Sequence, residues 1–75
     1  MNQSRRILVT GASGYVGGRL VRALLNEDMK VRIFVRDKSK VLGQPWVNEV
    51  EIAVGNANSY DETLAALQGV HTAFY

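Results

Sequence analysis

The chain of 75 residues predicts an α/β protein, the first part of a doubly wound parallel sheet with strand order 3-2-1-4. Three observations carry this. Short apolar runs rich in β-branched residues alternate with segments of helical period. Strands separated by helices pair in parallel through right-handed crossovers. Finally, VTGASGYVGGRL (Val9 to Leu20) puts four glycines into twelve residues, where the first apolar run gives way to the first helical segment.

Ile7-Leu8-Val9 reads as a buried first strand. From Tyr15 the period lengthens. Val16, Leu20 and Leu24 recur every four residues beside Gly17 and Val21, with Arg19, Arg22 and Asn26 turned elsewhere, which predicts an amphipathic helix ending near Asn26-Glu27-Asp28. Lys30 to Arg36 is a second strand with Val31, Ile33 and Val35 on one face. In DKSKVLGQPWVN, residues 37–48, a helical turn around Ser39 to Leu42 is broken by Gly43 and Pro45, and Trp46 and Val47 fold back as apolar anchors. Glu49 to Gly55 alternates Val50, Ile52 and Val54 with Glu49, Glu51 and Ala53, a third strand. Ser59-Tyr60-Asp61-Glu62 is a capping box: the Ser59 hydroxyl accepts from the Glu62 amide, and the Glu62 carboxylate reaches back. The helix it opens runs through Leu64, Ala65 and Leu67 and stops at Gly69. Val70 to Tyr75 opens a fourth strand, truncated by the end of the chain. Strands 3-2-1 grow outward in such a sheet, and the fourth returns to the far side of strand 1. The topological switch then falls at the C-terminal end of strand 1, where the glycines are.

Composition narrows the chemistry. With no cysteine and a single histidine, disulfides, thiolate metal sites and a zinc site are excluded, and His71 reads as structural. No apolar segment of signal-peptide or membrane-spanning length follows MNQSRR, so the expectation is a soluble, cytoplasmic protein without a membrane partner. The net charge of +2 is spread along the chain, which argues against nucleic-acid binding. Arg5 and Arg6 precede strand 1, Arg19 and Arg22 lie on a helix, Arg32 alternates with apolar neighbours, and all read as solvated faces. Only Arg36, Lys38 and Lys40 are local enough to form a site.

The glycines are spaced Gly11-x-x-Gly14-x-x-Gly17. Gly11 allows a tight turn out of strand 1, Gly14 lets the backbone approach a pyrophosphate, and Gly17 lets the helix pack closely on the sheet. Free amides around Gly14, Tyr15 and Val16 then point at the phosphates, backed by the positive end of the helix dipole. No Gly-Lys-Ser/Thr follows, which excludes a P-loop. Strand, glycines and helix in one βαβ unit are the setting of the dinucleotide fingerprint, so the chain reads as the N-terminal part of a Rossmann domain, with 1-75 a partial NAD(P)-binding unit.

At these residues the chain resembles a known family. TGASGYVG is similar to the Thr-Gly-x-x-Gly-x-x-Gly fingerprint of extended and atypical short-chain dehydrogenase/reductases. VRIFVRDKSK, EVEIAVGN and LAALQGVHTAFY agree with it, and together they resemble the NmrA-like, NAD(P)H-binding branch more than sugar-nucleotide epimerases. In that family an aspartate after strand 3 is associated with the adenine amino group. The corresponding residue here is Asn56, followed by Ala57. The resemblance implies that the Asn56 carbonyl accepts that bond without charge; the alternative is a turn residue.

The cofactor is chosen at the end of strand 2, where an acidic residue accepts from a free ribose 2′-hydroxyl and a cation accommodates a 2′-phosphate. Arg36 stands there, with Asp37, Lys38 and Lys40 behind it. A guanidinium matches a phosphate bidentately, which favours NADP(H), with Ser13 donating a further bond to the same phosphate. If Asp37 faces the ribose instead, the choice becomes NAD(H).

Reductases of the superfamily use a tyrosine and a lysine four residues later. Here Arg19 and Leu64 follow Tyr15 and Tyr60 at that distance, and nothing follows Tyr75, so no catalytic residue is expected in this chain. Tyr15 reads as a lid over the pyrophosphate or as packing. The leading expectation is the adenosine-pyrophosphate half of a longer NADP(H)-dependent reductase acting on a carbonyl-type or quinone-like substrate. The alternatives are a non-enzymatic NADP-dependent redox sensor, an NAD-dependent nucleotide-sugar epimerase or dehydratase, and a structural fragment. An open sheet edge and an uncovered apolar face would make the chain a homo-oligomer.

Overall fold

The apolar run before the glycines forms the strand on which the sheet is organised. β1 (Arg6–Thr10) pairs with β2 (Lys30–Val35) on one side and β4 (Thr72–Phe74) on the other, and β3 (Glu51–Val54) lies outside β2. All pairs are parallel, and the order β3-β2-β1-β4 is the predicted one. Val9 lies opposite Ile33 on one side and Phe74 on the other. The computed structural model describes residues 5–12 and 14–74, without the side chain of residue 15.

Strand alternation distributes the apolar residues between two layers. Ile7, Val9, Val31, Ile33 and Val35 face one side and are covered by helix α1 (Tyr15–Asn26) through Val21, with Val41 and Trp46 closing the same cluster. Leu8 and Phe34 face the other side, where Ala66 of helix α2 (Tyr60–Ala66) meets them, flanked by Ala53, Leu67, Val70 and Ala73. Trp46 is 2% exposed, so its indole anchors the long β2–β3 connection against the α1 layer as expected.

Several boundaries and faces differ from the sequence reading. Val16 does not join the apolar stripe of α1 and is 77% exposed. The buried face starts later, with Leu20, Val21, Leu24 and Leu25. α1 ends in a reciprocal carbonyl closure: the amide of Asp28 donates to Leu25 O and that of Met29 to Leu24 O. Asp28 takes a left-handed φ of 62° there, a position glycine more often fills. Glu49 belongs to a 3-10 turn (Val47–Glu49), so β3 starts only at Glu51; a second 3-10 turn at Lys38–Lys40 stands where a turn around Ser39 to Leu42 was expected. α2 ends at Ala66, three residues before Gly69, whose φ of 75° is nonetheless left-handed.

The Ser59 box is also only half as predicted. Glu62 N–H donates to Ser59 Oγ (3.3 Å), but the Glu62 carboxylate passes Ser59 and accepts from the amide of Asn56 at 3.0 Å. Ser59 N–H donates instead to Asn56 O. The Ser59 amide is therefore already satisfied, and the Glu62 carboxylate ties the start of α2 to the exit of β3 instead of closing the box.

Arg32 is not on a solvated face. Its Nη1 donates to the carbonyls of Ala66 (2.6 Å) and Gln68 (2.7 Å), and its Nε to Glu51 Oε1 (2.9 Å). The guanidinium therefore closes carbonyls that the end of α2 leaves without intrahelical donors, at the negative end of the helix dipole. His71 has a comparable fastening role: its Nδ1 accepts from Arg6 N–H at 3.1 Å, and its own N–H donates to Arg6 O. Arg32→Met keeps the buried stem and removes the charged head. We expect it to lower stability by about 2 kcal/mol, the range for hydrogen bonds to charged groups, measured as a fall in urea midpoint at unchanged slope.

Candidate functional site

The loop after β1 is built by two of its glycines. Gly11 adopts φ 69°, which turns the chain sharply out of the strand, and Gly14 N–H donates back to Gly11 O at 3.0 Å. Gly17 is required by packing. A Cβ there would lie 2.7 Å from the carbonyl carbon of Gly11 and 3.0 Å from Ala12 Cα, so α1 can approach the loop only without a side chain at this position. Gly14 differs from both. Its φ is −87°, and a Cβ would lie 3.4 Å from Gly11 O, an ordinary contact. Among the described residues no steric clash excludes a side chain there, although an N-cap favours glycine over alanine.

Gly14 is the N-cap of α1 and provides no side-chain cap, and no acidic residue lies in the first turn. Gly18 N–H makes the first intrahelical bond, to Gly14 O at 3.0 Å. The amides of residues 15, 16 and 17 precede that bond and have no intrahelical acceptor, with the positive helix end behind them. The amide of Gly14, expected to be free, is taken by the turn. Ser13 and the Tyr15 side chain lie outside the described residues.

Beside this loop a cleft of about 250 Å³ lies between the ends of β1 and β2, lined by Gly11, Phe34, Val35, Arg36, Asp37 and Lys40. The structure thus brings Gly11 and Arg36 together at the switch point. Lys40 joins them because the 3-10 turn folds it back. Asp37 is exposed, and its Oδ1 accepts from Ser39 N–H (3.0 Å) and Ser39 Oγ (2.7 Å), capping that turn. The Ser39 hydroxyl, then the Ser39 amide, hold the Asp37 carboxyl below the ordinary aspartate value. A lowered value means that the cap is intact at neutral pH and is lost only as pH falls through it. The Asp-x-Ser spacing, an Asx turn with a donor two residues on, was the readable sign of this role.

At the end of β3, Gly55 N–H donates to Val35 O at 2.9 Å, which joins the exits of β2 and β3, but Asn56 and Ala57 are not among the residues that line the cleft with Arg36. Asn56 Oδ1, the atom reserved for the adenine amino group, accepts from Asn58 N–H at 2.9 Å within its own turn. A wider hollow of about 350 Å³ lies against α1 between Gly14, Gly18, Arg22 and Trp46, but none of its lining residues belongs to a strand end. Arg22 is paired with Glu49 at 3.4 Å. Among the described residues no helix is long and apolar enough to cross a membrane.

Sheet order, crossovers and the glycine turn at the switch point define a Rossmann fold of the NAD(P)-binding dehydrogenase/reductase type. Comparison with known proteins agrees. The model of the NmrA-like family matches residues 3–75. A 3-beta-hydroxysteroid dehydrogenase of Mycolicibacterium neoaurum is 37% identical over 70 residues, covering 93% of this chain and 18% of that protein. The sterol demethylase protein B of Methylococcus capsulatus is 41% identical over 68 residues, covering 91% and 20%. Among solved structures, a short-chain dehydrogenase/reductase superfamily protein from Agrobacterium tumefaciens with bound NAD superposes with a TM-score of 0.71 at 30% identity, covering 92% of this chain and 19% of that one. A Rossmann-fold NAD(P)-binding family protein from Shigella flexneri gives a TM-score of 0.78 at 21% identity, covering 96% and 38%. The chain belongs to the NmrA-like family. It spans about a fifth of the length of these curated relatives.

Proposed function

We propose that residues 1–75 are the adenosine-pyrophosphate half of a nicotinamide-dinucleotide domain and that the cofactor is NADP(H). The observation that carries the phosphate cradle is the start of α1: Gly14 caps it without a side chain, and no acidic residue fills the first turn, which leaves the helix start open to an anion. The amides of residues 15–17 are the donors for the pyrophosphate, and Val16, exposed on the same turn, lies against it. The relative with bound NAD supports the ligand class.

The choice of NADP(H) is supported by the two sides of the β2 cleft. Arg36, Lys40 and Asp37 all line it, two cations against one carboxylate, and Oδ1 of that carboxylate is taken by Ser39. Asn56 and Ala57 complete the base end beyond Arg36. When bound, the nicotinamide would take the hydride in a dehydrogenase or give it in a reductase, and these residues hold the opposite end of the molecule. The full protein is then an NAD(P)-dependent oxidoreductase, a reading supported by the two sterol-named relatives. Calorimetric titration with NADPH, NADH and 2′,5′-ADP tests it: NADPH and 2′,5′-ADP should bind more tightly than NADH, and equal affinities would return the ribose contact to Asp37. The β4 edge and the exposed Val54, Leu64 and Phe74 are the surfaces through which two copies would associate.

A further inference from the structure

We propose that Asn56 meets the nucleobase with a hydrogen-bond donor, its side-chain NH2, and therefore does not select for the 6-amino group of adenine. This rests on the dinucleotide reading above. Ligands of open α/β sheets lie outside the carboxyl ends of the strands, and neighbouring strands are about 4.8 Å apart. A nucleotide whose phosphates sit at the end of β1 crosses the end of β2 at Arg36 and next reaches the end of β3, where Gly55, Asn56 and Ala57 leave the sheet. The bond from Gly55 N–H to Val35 O keeps the two strand exits in contact.

The hydrogen bonds of Asn56 decide which of its groups faces outward. Its N–H donates to Glu62 Oε1 (3.0 Å), its C=O accepts from Ser59 N–H (2.9 Å), and its Oδ1 accepts from Asn58 N–H (2.9 Å). Gly55 leaves room for this arrangement, since a Cβ there would lie 2.9 Å from Glu62 Oε1. An amide N–H requires an acceptor, so the branch of the carboxamide turned to Asn58 is the oxygen and the other branch is NH2. Among the described residues, that NH2 donates to none. Adenine offers an NH2 its N1 acceptor and leaves its own 6-amino group without a partner at Asn56. A 6-oxo purine offers O6. Each base thus gains one bond from Asn56, and selectivity between them is lost.

Asn56→Ser tests this. A serine hydroxyl can still accept from the amide two residues on, whereas the outward NH2 is gone, so either base loses its partner there. The 75-residue chain and the variant are titrated with NADPH and with its analogue carrying hypoxanthine in place of adenine. The parent chain should bind the two within about threefold, and the variant should weaken both by a similar factor of about three- to tenfold, the range for one neutral hydrogen bond. If the parent disfavours the hypoxanthine analogue tenfold, or the variant weakens NADPH alone or neither ligand, the proposal fails while the dinucleotide reading stands. If neither nucleotide binds either protein, the dinucleotide reading fails and takes the proposal with it. Should the serine variant not fold, Asn56→Ala is read by the same two ratios.

Discussion

Gly17→Ala should destabilise the chain by about 3 kcal/mol, at the upper end for a methyl forced into a packed site. The obstruction is backbone: the carbonyl of Gly11 and Cα of Ala12 lie where the methyl would go. Neither can move without moving β1, whose Val9 and Leu8 are 1% and 0% exposed in the two cores. Domains of this size are stable by roughly 0.05–0.15 kcal/mol per residue, so the loss is a large share of the total. It corresponds to a fall in Tm of roughly 12–24 °C at the usual conversion for small domains. Gly14→Ala is the paired control. It should cost only about 1 kcal/mol, the preference of an N-cap for glycine over alanine, while weakening nucleotide binding. Equal thermal losses in both variants would mean that Gly14 serves packing too, and would remove the argument for the cradle.

Arg36→Ala is expected to weaken NADPH and 2′,5′-ADP by about 10- to 100-fold, the range for a charge-assisted hydrogen bond, and to leave NADH unchanged. Arg36→Asp should go further and make NADH the better ligand, because a carboxylate accepts from a free 2′-hydroxyl and repels a 2′-phosphate. The outcome that contradicts this is equal loss for both dinucleotides, which would assign Arg36 to the shared pyrophosphate. The Asp37→Ala variant separates the remaining case. If Asp37 is committed to Ser39, its removal loosens the turn that carries Lys40 and weakens NADPH; if it reads the ribose, NADH is the ligand that suffers.

The fold was legible where two levels of pattern agreed. Apolar triplets, the helical period from Leu20 and the left-handed Gly69 each point to the same element locally and in the sheet order. Legibility failed where a side chain chose among several equivalent partners. Nothing in the alternation of Lys30 to Arg36 distinguishes an Arg32 facing water from one closing the end of α2, because the helix it closes lies some thirty residues away. Glu62 likewise had two upstream amides within reach, and the choice of Asn56 depends on how β3 ends. Val16 was misplaced for a different reason. Its spacing fits the apolar stripe, but the helix begins above the sheet edge, so its first turn projects beyond the core. In the loop after β1, Gly11 and Gly17 were readable because each has a stereochemical reason to be where it is. Asp37 was legible only together with Ser39: an aspartate that caps a turn and one that waits for a ribose are the same letter, and the Asp-x-Ser spacing is what separates them.

The unequal layers have a kinetic consequence for this site. Among the described residues the α1 side holds nine buried ones, the α2 side only Leu8, Phe34 and Ala66. Opening free energies track buried apolar contact, so α2 and the β3–α2 turn should exchange their amide hydrogens through a low-energy sub-global opening. β1, β2 and α1 should exchange only with global unfolding, a hierarchy that hydrogen exchange resolved by residue would display. The cleft would then have a stiff end and a breathing end. Phosphate meets a surface already in place, whereas the base meets one that must first close, so nucleotide binding should slow exchange most around Asn56 and least around Gly11.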